Sequence, residues 1–123
     1  MARKVREADL DRWVEAYRRA WESNDPADVI ALWTEDAAYH RRPDEEPARG
    51  HDAILAQWLE NADSVGETTF EYEVLAYGDG VGFVRGWTTY LTAPPMEYSN
   101  LWVIRLAPDG RAREFTEWWM VSE

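Results

Sequence analysis

The hydrophobic period of this 123-residue chain changes halfway along, from helical spacing to strand alternation. Leu10, Trp13, Val14, Tyr17 and Trp21 fall at i, i+3, i+4, i+7 and i+11, an apolar stripe that predicts a helix over about Glu7 to Ser23. Asp25-Pro26-Ala27-Asp28 reads as a second helix start, with Asp25 as cap and Pro26 at the first helical position. This helix carries Val29, Ile30, Leu32 and Trp33 and is predicted to end near Thr34. A short strand over Ala37 to Arg41 and a charged, proline-rich loop over Arg42 to Gly50 follow. A third helix, from about Asp52 to Asn61, would bury Ile54, Leu55, Trp58 and Leu59. Beyond it, four segments alternate: Thr68 to Ala76, Gly82 to Leu91, Tyr98 to Leu106 and Arg111 to Val121. Helices first and antiparallel strands after define an α+β pattern. The length predicts a single domain over 1–123.

Composition narrows the partners. A formal net charge of −11 argues against nucleic acid and anionic membrane surfaces, both of which need clustered Lys and Arg. No apolar run approaches the roughly 20 residues that span a bilayer. The chain has no cysteine, which excludes disulfides, thiolate nucleophiles and Cys–zinc sites. The basic start Met1 to Glu7 has no apolar stretch behind it, so no signal peptide is read, and a cytoplasmic location is expected. Neither a HExxH nor an EF-hand pattern is present, and Gly78-Asp79-Gly80-Val81-Gly82 lacks the following helix of a phosphate loop. No metal or cofactor is therefore expected.

The turns set an expected strand register. Asp79-Gly80 is a two-residue hairpin signal flanked by Gly78 and Val81. Counting outward pairs Tyr72 with Trp87 and Val74 with Arg85. Flanking the loop Thr92 to Pro95 with Leu91 and Met96 pairs Arg85 with Trp102, Trp87 with Asn100 and Thr89 with Tyr98. Flanking Ala107 to Gly110 with Leu106 and Arg111 pairs Trp102 with Phe115, Asn100 with Glu117 and Tyr98 with Trp119. One row across four strands then reads Tyr72, Trp87, Asn100, Glu117, and its neighbour Val74, Arg85, Trp102, Phe115. Opposed side chains lie about 5 Å apart at Cβ, which brings Arg85 within reach of Glu117. Phe70, Tyr72 and Val74 alternate with Glu71 and Glu73, so this row belongs to the helix-covered face. A single bulge would reverse the parity of everything beyond it.

The opposite face would carry Val84, Thr88, Tyr90, Leu101, Val103, Thr116, Trp118 and Met120. A wide apolar sheet face implies a homodimer through Trp118, Leu101, Val103 and Tyr90; the alternative is a sheet that curls to shield itself.

The first helix, the segment Asp25-Pro26-Ala27-Asp28-Val29-Ile30-Ala31-Leu32-Trp33-Thr34-Glu35-Asp36-Ala37, the closing Arg49-Gly50-His51-Asp52-Ala53-Ile54 and the ending Phe115-Thr116-Glu117-Trp118-Trp119 together resemble the SnoaL-like branch of the nuclear transport factor 2-like superfamily. The resemblance covers nearly the whole chain. It implies a cone-shaped, strongly curved mixed or antiparallel sheet wrapped around three N-terminal helices, a cystatin-like roll, with a pocket at the wide end and frequent dimers. Relatives include ketosteroid isomerases, scytalone dehydratases, limonene epoxide hydrolases and polyketide cyclases, and others only bind or assemble, so the fold assigns no reaction. Tyr17 falls where ketosteroid isomerases keep an oxyanion-hole tyrosine. Their general-base position corresponds to Arg41 here and their second oxyanion acid to Trp102, so two of three roles are lost. Two pocket histidines, as in the dehydratases, are not available from His40 and His51.

The resulting expectation is a pocket for a small apolar or aromatic organic molecule, lined by Trp13, Tyr17, Tyr39, His40, Tyr72, Trp87, Trp102 and Trp119. Glu117 would be its general acid or base, with Arg85 and Asn100 as the accompanying polar groups. Each has a plainer role as well. Glu117 with Arg85 can be a structural ion pair, Asn100 a satisfied sheet residue, and Tyr17 the fourth member of a core stripe. His40 and Tyr39 are neighbours on a strand, so only one of them can face the pocket. Non-catalytic binding, or a dimeric interaction module with a filled core, are the alternative functions.

Overall fold

The computed structural model describes residues 6–60 and 68–122. Asn61, the expected end of the third helix, and the basic start Met1 to Val5 lie outside them. Helix α1 spans Glu7–Ser23 and buries Leu10, Trp13, Val14 and Tyr17 of the predicted stripe together with Ala20, while Trp21 is only partly buried. Burying each large apolar side chain of this kind is worth about 1.5–3 kcal/mol. Asn24 ends the helix in the left-handed region, and the Asp25 carboxylate accepts from the Ala27 N–H at 2.9 Å to start α2, Pro26–Ile30. α2 is shorter than expected. Trp33 is already strand: β1 runs Trp33–His40 and lies parallel to the last strand of the chain. The loop before α3 holds a two-residue strand, β2, Ala48–Arg49, paired with β1. Helix α3, Gly50–Glu60, buries Ile54, half-buries Leu55 and Trp58, and leaves Leu59 exposed.

The remaining strands are β3, Thr68–Gly78; β4, Val81–Tyr90; β5, Met96–Leu106; and β6, Ala112–Val121. The six-stranded sheet is open, in the order β2-β1-β6-β5-β4-β3. All neighbours are antiparallel except β1 and β6. Mixed pairing with three helices on one face gives the expected α+β architecture.

The register corrects the turn counts in three places. Gly78 does face Val81 around Asp79-Gly80, with Gly80 at φ 73°, a value that favours glycine. A bulge at Leu75 then shifts the pairing, so that Val74 faces Val84 and Tyr72 faces Gly86. The β4–β5 loop is flanked by Tyr90 and Met96 rather than Leu91 and Met96, so Gly86 faces Asn100 and Val84 faces Trp102. The last hairpin closes with Leu106 opposite Ala112 rather than Arg111, and an irregularity at Arg105/Leu106 adds a second residue, so that Trp102 faces Glu117 and Asn100 faces Trp119. A one-residue slip changes face and a two-residue slip does not. Strands β3, β5 and β6 therefore keep the expected inner residues, and β4 is reversed. Val84 and Thr88 are buried on the helix side, and Arg85 points outward with its guanidinium 4.7 Å from the Trp87 ring.

The reversal of β4 is tied to packing. An added Cβ at Gly86 would stand 2.5 Å from the Phe70 ring, which stacks on Trp102 at 4.9 Å and 14°. Only a glycine on the inner face of β4 lets those rings lie flat across the sheet.

Candidate functional site

A cavity of about 280 Å³ opens between α1, α3 and the inner face of β4 to β6. This lies just below the range of about 300–1,000 Å³ usual for drug-sized ligands, so it suits a small one. Eight of the fourteen lining residues among those described are aromatic. Helix α1 contributes Tyr17 and Trp21 and α3 contributes Gln57 and Trp58. Strand β1 and the residue after it supply Tyr39 and Arg41; β4 supplies Thr88 and Tyr90. Tyr98, Asn100 and Trp102 come from β5, and Glu117 and Trp119 from β6. Trp58 Nε1 donates to Asn24 Oδ1 at 3.1 Å, which ties α3 to the end of α1 beside the opening.

Glu117 is the acid of this cavity. Trp102 faces it across the β5–β6 ladder and donates from Nε1 to Oε2 at 2.9 Å. Asn100, its diagonal neighbour, donates from Nδ2 to the same oxygen at 2.7 Å. Thr88 Oγ1 donates to Asn100 Oδ1 at 2.8 Å, which decides which end of the amide meets the carboxylate. Two donors from β5, one of them oriented by Thr88 on β4, thus hold one carboxylate oxygen and leave Oε1 without a hydrogen bond among the described residues. No salt bridge reaches Glu117 among the described residues. Burial pushes its carboxyl above the ordinary glutamate value, and the two hydrogen bonds pull it part of the way back.

A second polar group is a pair of phenols. Tyr17 and Tyr39 are buried, with hydroxyl oxygens 3.2 Å apart. Burial drives both well above the usual tyrosine range, and the negative charge of Glu117 raises them further. Both therefore stay protonated across any ordinary pH. One hydroxyl of the pair donates to the other, so one proton is left for another acceptor. Rings pack this floor closely: Tyr17 lies 4.9 Å from Trp58 and 4.8 Å from Trp102. At the rim, Tyr98 meets Tyr90 at 5.5 Å and Trp119 at 5.7 Å, while the Arg42 guanidinium stands 5.9 Å from the Trp119 ring.

Of the residues singled out in the sequence, Glu117, Asn100, Tyr17, Tyr39, Trp102 and Trp119 are brought together here. The others are not. Arg85 and Trp87 are on the outer face because β4 is reversed, so the expected approach of Arg85 to Glu117 does not occur. Tyr72 faces inward but at the far end of the sheet, where its hydroxyl donates to Asp11 at 3.0 Å; burial and that bond push it up to about 12. Trp13 is core, its Nε1 donating to the Leu32 carbonyl at 3.0 Å. Tyr39 takes the inward position on β1, so His40 turns away and sits 3.4 Å from Glu114. Tyr90, expected on the outer face, lines the cavity. Thr88 and Tyr90 were missed for the same reason that Arg85 was included. Trp21 and Trp58 were legible as members of helical stripes, but nothing in the spacing separates a core ring from a lining ring. Among the described residues no group of three His, Cys, Asp or Glu is placed to hold a metal ion.

Three solved structures share the whole architecture. An epoxide hydrolase/cyclase-like enzyme, SalBIII, with a role in pyran ring formation in the polyether salinomycin, is 19% identical over 93% of this chain and 92% of its own, with a TM-score of 0.75. An LEH-like epoxide hydrolase of M. tuberculosis is 17% identical over 92% of this chain and 84% of its own, TM-score 0.65. A ketosteroid isomerase-like protein from Erwinia carotovora atroseptica is 22% identical over 89% of this chain and 92% of its own, TM-score 0.65. At such identities the likeness is one of fold. No curated protein gives a significant sequence match. The sequence itself matches the family described as SnoaL-like domain over residues 14–115. The chain accordingly belongs to the SnoaL-like domain family.

Proposed function

We propose that this protein binds a small organic molecule in the aromatic cavity and transforms it by cofactor-free proton transfer, with Glu117 as general acid or base. The observation that carries the reading is the Glu117 carboxylate on the cavity lining, held at one oxygen by Asn100 and Trp102 with the other accepting no hydrogen bond among the described residues. A proton-transfer group works best when its pKa is close to the working pH, and burial moves Glu117 in that direction. The Tyr17–Tyr39 pair would steady a developing negative charge on a substrate oxygen. Arg85 has no part in this scheme. Isomerisation, dehydration, cyclisation and addition of water all need these two functions, and the enzymes among the structural neighbours agree with that range.

The test is Glu117→Gln, which keeps shape and an acceptor oxygen and removes the titrating proton. Turnover of an identified substrate should fall by about 10²–10⁴-fold while binding persists. Unchanged turnover would remove Glu117 from the mechanism.

Assembly as a homodimer through the outer face belongs to the same proposal. Leu101 and Trp118 face one another across β5 and β6 there, next to Val103 and Met120, and Trp118 is 43% exposed. Tyr90 is not part of this surface.

A further inference from the structure

We infer that the ligand of the cavity is a small organic cation, a quaternary ammonium or a protonated amine on an apolar body. The inference rests on the reading of the cavity as a small-molecule site and is independent of turnover. Glu117 lies in this cavity beside neutral donors alone, with no salt bridge among the described residues. A partly buried carboxylate without a counter-charge is costly. It is compensated either by a proton or by a positive charge brought in from outside. Most of the lining is aromatic, and ring faces attract an onium group through their quadrupole while stripping it of water. Tyr17, Trp58 and Trp102 form a close-packed floor, and Tyr90, Tyr98 and Trp119 a second group at the rim.

The other ligand classes fit less well. Arg41 is the only basic residue of the lining among those described. Its side chain is 44% exposed and pairs with Glu45 at 3.5 Å. An anionic ligand would therefore meet an uncompensated carboxylate inside a chain of net charge −11. A neutral ligand would cover Glu117 and bring it no counter-charge. A cation meets opposite charge at the carboxylate and is drawn in by the overall field.

Choline and its uncharged carbon isostere, 3,3-dimethylbutanol, have nearly the same shape and separate charge from size. Titration of each into the intact protein, followed by calorimetry at mildly alkaline pH, should show choline bound about tenfold or more tightly than the alcohol. Glu117→Gln should abolish that preference. The variant keeps nearly all of the net charge, so a merely general attraction of cations would survive it. A second arm needs no variant. The titratable groups facing Glu117 are Tyr17 from α1, Tyr39 and Arg41 from β1 and the residue after it, Tyr90 from β4 and Tyr98 from β5. Glu117 is the one carboxylate among the described lining residues. The preference should therefore fade as the pH is lowered through the Glu117 titration. Equal binding of the two probes, a preference for the alcohol, a preference that survives Glu117→Gln, or no binding of either would overturn the inference. The two readings fail separately. Glu117-dependent choline binding without any turnover leaves the ligand class standing and removes the chemistry. Glu117-dependent turnover of a neutral molecule with no choline preference does the reverse.

Discussion

At the scale of single residues, Glu117 is where burial and hydrogen bonding oppose each other. Its carboxyl is raised by burial, so the folded state holds the proton more tightly than the unfolded chain does. Glu117 then favours folding most at low pH. That contribution is lost as the pH rises from the unfolded value through the raised folded one, because the deprotonated form must sit in a partly buried place. Glu117→Gln, which keeps an acceptor for Asn100 and Trp102, should raise the thermal midpoint at mildly alkaline pH and change it little in acid. A wild-type protein more stable than the variant in alkali would contradict the raised pKa. Trp102→Phe makes the complementary test. It keeps the ring and removes the Nε1 donor to Oε2, so the Glu117 titration should move up. Downward movement, followed by carboxyl NMR, would mean that the indole N–H does not hold the charge.

At the scale of elements, the reversed strand β4 decides what the cavity contains. Its inner side carries Gly86 under Phe70, and Val there would drive a branched side chain into that ring. Gly86→Val should destabilise the fold by about 1–3 kcal/mol, measured by chemical unfolding. A change within error would show that the Phe70 ring moves aside freely. The same strand shows where sequence reading stopped. Helix α1 was legible because its stripe repeats over several turns, with only Trp21 less buried than its place in the stripe implies, and the inner face of β3 followed from alternation. Strand β4 was not legible, since its face depends on the bulge at Leu75 and on whether Leu91 or Tyr90 closes a proline-rich loop. Alternation within β4 offers no help: Arg85, Trp87 and Thr89 on one side and Val84, Gly86 and Thr88 on the other are both acceptable surfaces. Asn100 and Trp102 survived because the one-residue slips on either side of β4 cancel, and Glu117 because the slip in the last hairpin was two residues, which preserves the face. Trp33 was misread as helical because an apolar residue after a helix looks the same whether it continues the turn or begins a buried strand.

At the scale of the molecule, the open sheet has two faces with apolar side chains. The inner one closes over the aromatic cavity. The outer one presents Leu101, Val103, Trp118 and Met120, and the homodimer proposal rests on it. Light scattering at micromolar concentration should return about twice the chain mass of 14.3 kDa, and Trp118→Arg should return the mass itself. A wild-type mass of a single chain would remove the dimer and leave the cavity unaffected. The central claim concerns the inner face: Glu117 is a titrating acid in a ligand cavity, not a solvated carboxylate at its edge. Carbon-13 NMR titration of the glutamate carboxyls, with Glu117 assigned by its disappearance in Glu117→Gln, tests this directly. The prediction is a midpoint above that of an ordinary glutamate; a midpoint at or below that of the exposed glutamates in the same spectrum would contradict it.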